Sequence, residues 1–203
     1  LLASGEVIGS FALTEPDAGS DAAALQTRAV KDGDDFLLSG TKRYITNAQH
    51  AQLFTVFART DVNEPGSRGI SAFLVDANSD GLTLGTPYKK MGQQGAQVCD
   101  VIFEECRVPA ANIIGGPDRV NRGFGTAMKT LDRGRIHISA LAVGCAKRLI
   151  EMSLEYAMDR KQFGQPISEF QLLQGMLADS QAECYAAESM VLDAARRRDA
   201  GER

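Results

Sequence analysis

The chain has no tryptophan, only two histidines and only four cysteines. Cys99, Cys106, Cys145 and Cys184 are widely spaced and form no C-x-x-C pair. With only His50 and His137 beside them, they supply neither a zinc-ligand pattern nor a disulfide framework, so no metal site is expected. An excess of positive charge is also missing, since 22 Lys+Arg face 26 Asp+Glu for a net charge of −4. A protein that displaces counterions from a phosphate backbone needs the opposite balance, which excludes nucleic acid as the expected partner. The longest uncharged apolar run, Ile138 to Ala146, is too short to cross a bilayer and is broken by Ser139 and Gly144, so no membrane span is expected. The opening residues, Leu1 to Glu6, lack an initiator Met and the basic and apolar regions of a secretory signal, and they read as the interior of a longer chain. Spaced, unpaired cysteines suit a reducing compartment, either a bacterial cytoplasm or a mitochondrial matrix.

What is present is apolar material for one or two folded cores, 44% of 203 residues. Its arrangement changes character along the chain. From Val7 to Phe103, short apolar runs alternate with Gly, Asp, Asn and Pro clusters: Val7–Leu13, Ala24–Val30, Phe36–Tyr44, Leu53–Arg59, Ile70–Val75 and Val101–Phe103. Strands at this spacing, with no helical pattern between them, predict an antiparallel barrel or sandwich. Between Pro117 and Pro166 there is no proline, and Ile138, Leu141, Ala142, Cys145, Leu149, Met152 and Tyr156 recur at helical spacing. That predicts one long, largely buried helix, ended by the basic residues Arg160 and Lys161, then Gly164 and Pro166. Ser168 to Gln171 has the S-x-x-Q form of a capping box, followed by a second helical stripe that runs into Arg196 to Arg198. Two long helices have only each other and the β-half to bury against, so a further helix or subunit is expected to cover them.

Four local patterns stand out. Phe11 to Asp21 follows the first strand with a turn of small and hydroxyl residues that could hold a cofactor's polar edge, although T-E-P and G-S-D are also ordinary turn chemistry. Tyr44 and Thr46 sit two apart at a strand end and share a face, which suits a flat heteroaromatic ligand or an aromatic cross-strand pair. Arg160 to Gln171 is a basic junction between helices, able to meet a pyrophosphate or simply to complement a helix dipole. Asp132 and Arg135 lie three apart on one helix face, as surface pairs do. Gly123-Phe124-Gly125 lacks the third glycine and the βαβ frame of a dinucleotide fingerprint, and His137 is expected to be packed or hydrogen-bonded on an apolar helix, not catalytic.

Taken in order, these pieces resemble the acyl-CoA dehydrogenase family over essentially the whole chain. The resemblance runs through Phe11-Ala12-Leu13-Thr14-Glu15-Pro16 with Gly19-Ser20-Asp21, Tyr44-Ile45-Thr46-Asn47, Lys89-Lys90-Met91-Gly92, Phe103 with Val108-Pro109, Gly123-Phe124, Asp132 with Arg135, and Arg160-Lys161-Gln162-Phe163-Gly164 with Gln171. It implies an α+β chain: an antiparallel β-barrel-like middle domain over residues 1–116, then two long helices of an incomplete four-helix bundle over 117–203. It also implies an FAD site lined by Phe11, Leu13, Thr14, Gly19, Ser20, Tyr44, Ile45 and Thr46, with Tyr44 where the family usually has Trp. Arg160, Gln162, Phe163 and Gln171 would reach the FAD of a neighbouring subunit, and Ser20, Asp132 and Arg135 would border the acyl-CoA. The implied reaction is α,β-dehydrogenation of an acyl-CoA thioester, with an electron-transferring flavoprotein as partner and a homotetramer as the full-length assembly. In most members the catalytic base is a Glu that would lie beyond Arg203; in a minority it sits where this chain has Gly134, which cannot be a base. No catalytic residue is therefore expected within the chain, and alone it should be inactive. An acyl-CoA oxidase using oxygen, or a non-catalytic FAD-binding scaffold, shares the same architecture.

Overall fold

Period-two burial along the strands builds the first half of the molecule. In a computed structural model that describes residues 1–202, the chain separates into two compact units, Leu1–Met128 and the residues from Lys129 onward. The first is a sheet of seven strands: β1 (Gly9–Ala12), β2 (Arg28–Asp32), β3 (Asp35–Thr46), β4 (Leu53–Arg59), β5 (Ile70–Asp76), β6 (Leu82–Leu84) and β7 (Val98–Pro109). Their order is β1-β4-β2-β3-β7-β6, with β5 on the other edge of β4. Most pairs are antiparallel, as the turn-rich spacing predicts, but β1 lies parallel to β4, Gly9 opposite Leu53 and Ala12 opposite Val56. The sheet is therefore mixed, because the chain returns beside β1 as β4 only after the β2–β3 hairpin, and β4 also meets β2 in parallel at Arg28 opposite Arg59.

Phe36 and Leu38 of β3, Phe54 and Val56 of β4, Phe73 and Val75 of β5, and Val101, Phe103 and Val108 of β7 close the core, with Phe36 and Phe73 edge to face at 5.3 Å. Each fully buried Phe of this kind contributes about 1.5–3 kcal/mol. Two bulges shift the β3–β7 register. One lies between the pairs Leu38↔Cys106 and Gly40↔Phe103 and places the extra residue on β7, near Glu105, whose φ is +50°. The other lies between Lys42↔Val101 and Ile45↔Cys99 and places it on β3, at Arg43–Tyr44, where Tyr44 has φ +60°. The first explains why burial on β7 passes from Cys99, Val101 and Phe103 to Cys106 and Val108.

Helix α1 (Gly123–Asp159) starts where its first residue meets β5. A Cβ at Gly123 would lie 2.3 Å from the Ala72 nitrogen, so the G-F-G segment serves close backbone packing. The second unit contains the remainder of α1, a small hairpin of β8 (Lys161–Gln162) and β9 (Gln165–Pro166), and α2 (Gln171–Asp199). Among the described residues no helix is long and apolar enough to cross a membrane. The helical stripe exists as predicted, but it is not buried. Ile138, Leu141 and Leu149 are 62%, 62% and 63% exposed, and Met152 and Tyr156 are exposed too, because a pair of helices covers only the strip along which they touch. His137 is likewise exposed, not packed.

The capping box is not formed. Ile167–Glu169 is a 3-10 turn, Phe170 stands at the N-cap with no side-chain cap bond, and the Phe170 carbonyl accepts from the Leu173 and Gln174 amides. Gln174 Nε2 donates instead to the Ser168 carbonyl at 2.8 Å. Nor do Arg160 and Lys161 occupy the last turn of α1. The helix ends at Asp159 and those residues lead into the hairpin.

Candidate functional site

In the first unit the two motifs that stood out separately in sequence are fastened to each other. The chain leaves β1 at Ala12 and turns at Glu15-Pro16-Asp17-Ala18, where the Glu15 amide donates to the Ala18 carbonyl at 2.9 Å, and Pro16 presets the bend. The Arg43 amide donates to the Thr14 carbonyl at 2.8 Å, and Ser10 Oγ donates to the Thr46 carbonyl at 2.7 Å. The bulge on β3 makes the first bond possible, because it frees the Arg43 amide from the β7 ladder.

Beneath this junction lies an ion pair that sequence reading did not single out. Lys42 is 0% exposed, and its Nζ donates to Glu15 Oε1 at 2.7 Å and to the Leu13 carbonyl at 3.1 Å. Glu15 also accepts from the Gln26 amide at 2.6 Å and the Thr27 amide at 2.9 Å. Burial drives the Lys42 pKa down to about 8 against the opposing attraction of Glu15. Burial alone would raise Glu15, but the Lys42 charge and the hydrogen bonds it receives outweigh that and hold its pKa below the ordinary value. The turn after Thr14 and the strand before Tyr44 therefore share one internal clamp. Period-two alternation carried a signal for it: Lys42 shares a strand face with Phe36 and Leu38, a position where a lysine needs a partner.

The rim above the clamp is open. Phe11 packs on Phe57 at 5.0 Å while remaining partly exposed, and Tyr44 is 59% exposed. Leu13 and Ile45 point into the core, so only their backbone could meet a ligand. Among the described residues no hydrogen bond engages the hydroxyls of Thr14, Ser20 or Thr46, and Arg43 Nε is buried without a partner. Exposed aromatic rings beside uncommitted hydroxyls fit the face and polar edge of a flat heteroaromatic such as a flavin. Gly19 and Ser20 follow on the exposed side of the turn. Among the described residues no cluster of His, Cys, Asp or Glu could hold a metal.

In the second unit, Gln162 and Phe163 lie on the β8–β9 hairpin, Arg160 leads into it and Gln171 opens α2 just beyond it. Phe163 and Gly164 form its two-residue turn with φ +50° and +80°, the left-handed pair such hairpins require. The Ile167 amide donates to the Arg160 carbonyl at 2.8 Å, and Phe163 meets Phe170 edge to face at 6.3 Å while remaining 93% exposed. A bulky aromatic with positive φ and almost no burial is not explained by packing. Asp132 and Arg135 pair with each other at 2.5 Å on the exposed face of α1.

Comparison with known proteins covers both units. The middle domain of acyl-CoA dehydrogenases matches residues 10–106, and the C-terminal domain of the same enzymes matches residues 121–203. The probable acyl-CoA dehydrogenase YngJ of Bacillus subtilis is 50% identical over 194 residues, 96% of this chain and 50% of that protein. The caffeyl-CoA reductase–Etf complex subunit CarC of Acetobacterium woodii is 44% identical over 92% of this chain and 48% of its own length. A crystal structure of a glutaryl-CoA dehydrogenase from Mycobacterium smegmatis in complex with FADH2 superposes with a TM-score of 0.90 at 33% identity, covering 99% of this chain and 50% of that one. The chain thus spans about half the length of the curated relatives it matches. Matched from its first strand to its second long helix, the chain belongs to the acyl-CoA dehydrogenase family.

Proposed function

We propose that the protein of which these residues form part is an FAD-dependent dehydrogenase that converts an acyl-CoA thioester to the trans-2-enoyl-CoA and hands its electrons to an electron-transferring flavoprotein. The observation that carries this reading is the fastened junction of Thr14 and Arg43, which ties the half-buried Thr14 to the strand end where Tyr44 and Thr46 are exposed. In it, Tyr44 packs on the flavin ring and Thr14 and Thr46 hydrogen-bond its polar edge. Ser20 stands between the flavin phosphates and the acyl-CoA, and Phe11, Leu13, Gly19 and Ile45 complete the lining. Arg160, Gln162, Phe163 and Gln171 serve the FAD of a neighbouring subunit in a homotetramer, a role that gives the exposed, strained Phe163 something to cover. Asp132 and Arg135 border the CoA thioester. Residues 1–116 correspond in this reading to the middle β-domain and 117–203 to the first part of the helical domain.

When bound, FAD supplies the acceptor for the hydride lost from the substrate's β-carbon. The chain's own residues orient and desolvate. In this reading the α-proton is removed by a carboxylate outside these 203 residues, as the family resemblance implies; Gly134 offers no base at the alternative position, Glu15 is committed to Lys42 and two backbone amides, and neither Glu15 nor Glu169 is assigned the role. These residues alone are therefore inactive, and α-proton exchange catalysed by them would overturn that assignment. The relative named as part of an Etf complex supports the electron acceptor.

The test is an anaerobic titration of the full-length protein with short, medium, long and branched acyl-CoAs, following flavin absorbance near about 450 nm. Bleaching by one class supports the dehydrogenase half-reaction and names the substrate. A yellow protein that bleaches with none defeats it, and rapid peroxide formation on readmitting air moves the assignment to an oxidase.

A further inference from the structure

Tyr44 does not stand alone. Its ring lies 5.1 Å from the ring of Tyr88, tilted by 51°. The Tyr88 hydroxyl donates to Asp100 Oδ1 at 2.9 Å, Arg43 faces the other oxygen of the same carboxylate at 3.4 Å, and the Arg43 guanidinium carbon sits 5.9 Å from the centre of the Tyr44 ring. The four side chains form a closed circuit: Tyr44 to Tyr88, to Asp100, to Arg43 and back.

The backbone explains why they meet. Asp100 lies on β7 between Cys99 and Val101, which pair with Ile45 and Lys42, so it faces the two bulged residues Arg43 and Tyr44 across the ladder. The segment that brings Tyr88 is tied along the same strand, since the Gly85 amide donates to the Asp100 carbonyl at 2.9 Å and the Tyr88 amide to the Val98 carbonyl at 2.8 Å. Partial desolvation, reinforced by the bond to Asp100, raises the Tyr88 pKa and keeps the phenol a donor. The hydrogen bond from Asp100 is the main reason the Arg43 pKa also rises. An aromatic residue with φ +60°, more than half exposed, gains little from the core; strain at such a position persists where surrounding groups over-determine it.

We propose that Tyr88 and Asp100 are positioning residues of the flavin site, a frame that fixes the angle at which Tyr44 presents its ring. Resting on the proposed packing of Tyr44 against the flavin, the inference goes beyond it by making two residues remote from the flavin-lining motifs responsible for that contact. Arg43 serves twice, with its amide fixing the Thr14 turn and its guanidinium closing the circuit over the Tyr44 ring. A frame of this kind acts by removing alternative rotamers of the ring before the ligand arrives, so the contact forms without further ordering.

The experiment uses the full-length protein as four variants, Tyr44→Ala, Tyr88→Phe, Asp100→Asn and the double variant Tyr44→Ala/Asp100→Asn. Each is measured for FAD content, for the Kd of FAD and for the fluorescence of the bound flavin, which a packed phenol ring quenches. We expect FAD to be retained in all, with Kd and flavin emission rising by about two- to tenfold in Tyr44→Ala, the size of one aromatic packing contact. Tyr88→Phe and Asp100→Asn should reproduce part of that rise, and Asp100→Asn should add nothing once Tyr44 is absent. Single variants at 88 and 100 that leave the flavin unchanged, beside a Tyr44→Ala that disturbs it, would overturn the frame and spare the packing assignment. So would an Asp100→Asn effect that persists undiminished in the double variant. A Tyr44→Ala that leaves the flavin unchanged would overturn both. If Asp100→Asn fails to fold, Tyr88→Phe, which removes only one hydroxyl, carries the same comparison in a double variant with Tyr44→Ala.

Discussion

The two units solve opposite problems. The β-unit buries a lysine together with its glutamate partner and satisfies both, while the helical unit leaves isoleucine, leucine, methionine and tyrosine on its surface. In the first, every element finds its partner within 128 residues; in the second, an amphipathic stripe is written on two helices that between them cannot cover it. The difference teaches where stability resides. Substitutions at chemically similar positions should have unequal costs in the two units.

The largest effect is expected at the buried pair. Lys42→Met strands Glu15 in the interior and should destabilise the β-unit by about 3–5 kcal/mol, read from the urea midpoint. Adding Glu15→Leu should recover only part of this, because the Gln26 and Thr27 amides lose their acceptor. An unchanged midpoint for the single variant would erase the contrast between the units.

Truncating one large apolar side chain in each unit comes next. Phe54→Ala should cost about 3–5 kcal/mol, since Phe54 is fully buried, whereas Leu141→Ala should change stability by no more than about 0.5 kcal/mol. Equal costs would mean that the helical stripe is covered in this chain.

Acid separates the units more gently. The folded pKa of Glu15 lies below its ordinary 4.5, so between the two values the unfolded chain binds a proton that the folded chain does not. Its contribution is complete above about pH 4.5 and is lost as pH falls through the lower, folded value. Glu15→Gln should flatten the acid limb of stability against pH without changing the midpoint of the helical unit.

The smallest effects compare two glycines. Gly164→Ala places a Cβ at φ +80° in the hairpin turn and should cost about 1 kcal/mol. Gly134→Ala, in open space on α1, should gain about 0.5–1 kcal/mol. Circular dichroism melts of both variants would sort them.

The strands Leu53–Arg59 and Ile70–Val75 were legible in the sequence because each carries a dense run of buried residues between turn signals. β7 was legible only in its middle, Val101–Phe103, since the bulge near Glu105 breaks the alternation and hides the buried Cys106 and Val108. The hairpin at Phe163-Gly164 was read as the end of a helix, because the Gly and Pro that shape a tight turn are the same residues that stop a helix. At the proposed site, Tyr44 and Thr14 were singled out through separate motifs, and the structure joins those motifs through the Arg43 amide and the Thr14 carbonyl. Tyr88 and Asp100 were not singled out, because they lie 44 and 56 residues from Tyr44, and only strand register brings them to it. Local pattern encodes which residue faces in or out; it does not encode which distant residue stands opposite.

The extra residue on β3 also bears on substitution. Because Tyr44 sits in the bulge and not in the inward-facing series of Phe36, Leu38 and Lys42, its identity is released from the demands of the core. A larger or smaller ring at this position would change the rim without disturbing the buried face of the sheet beneath it.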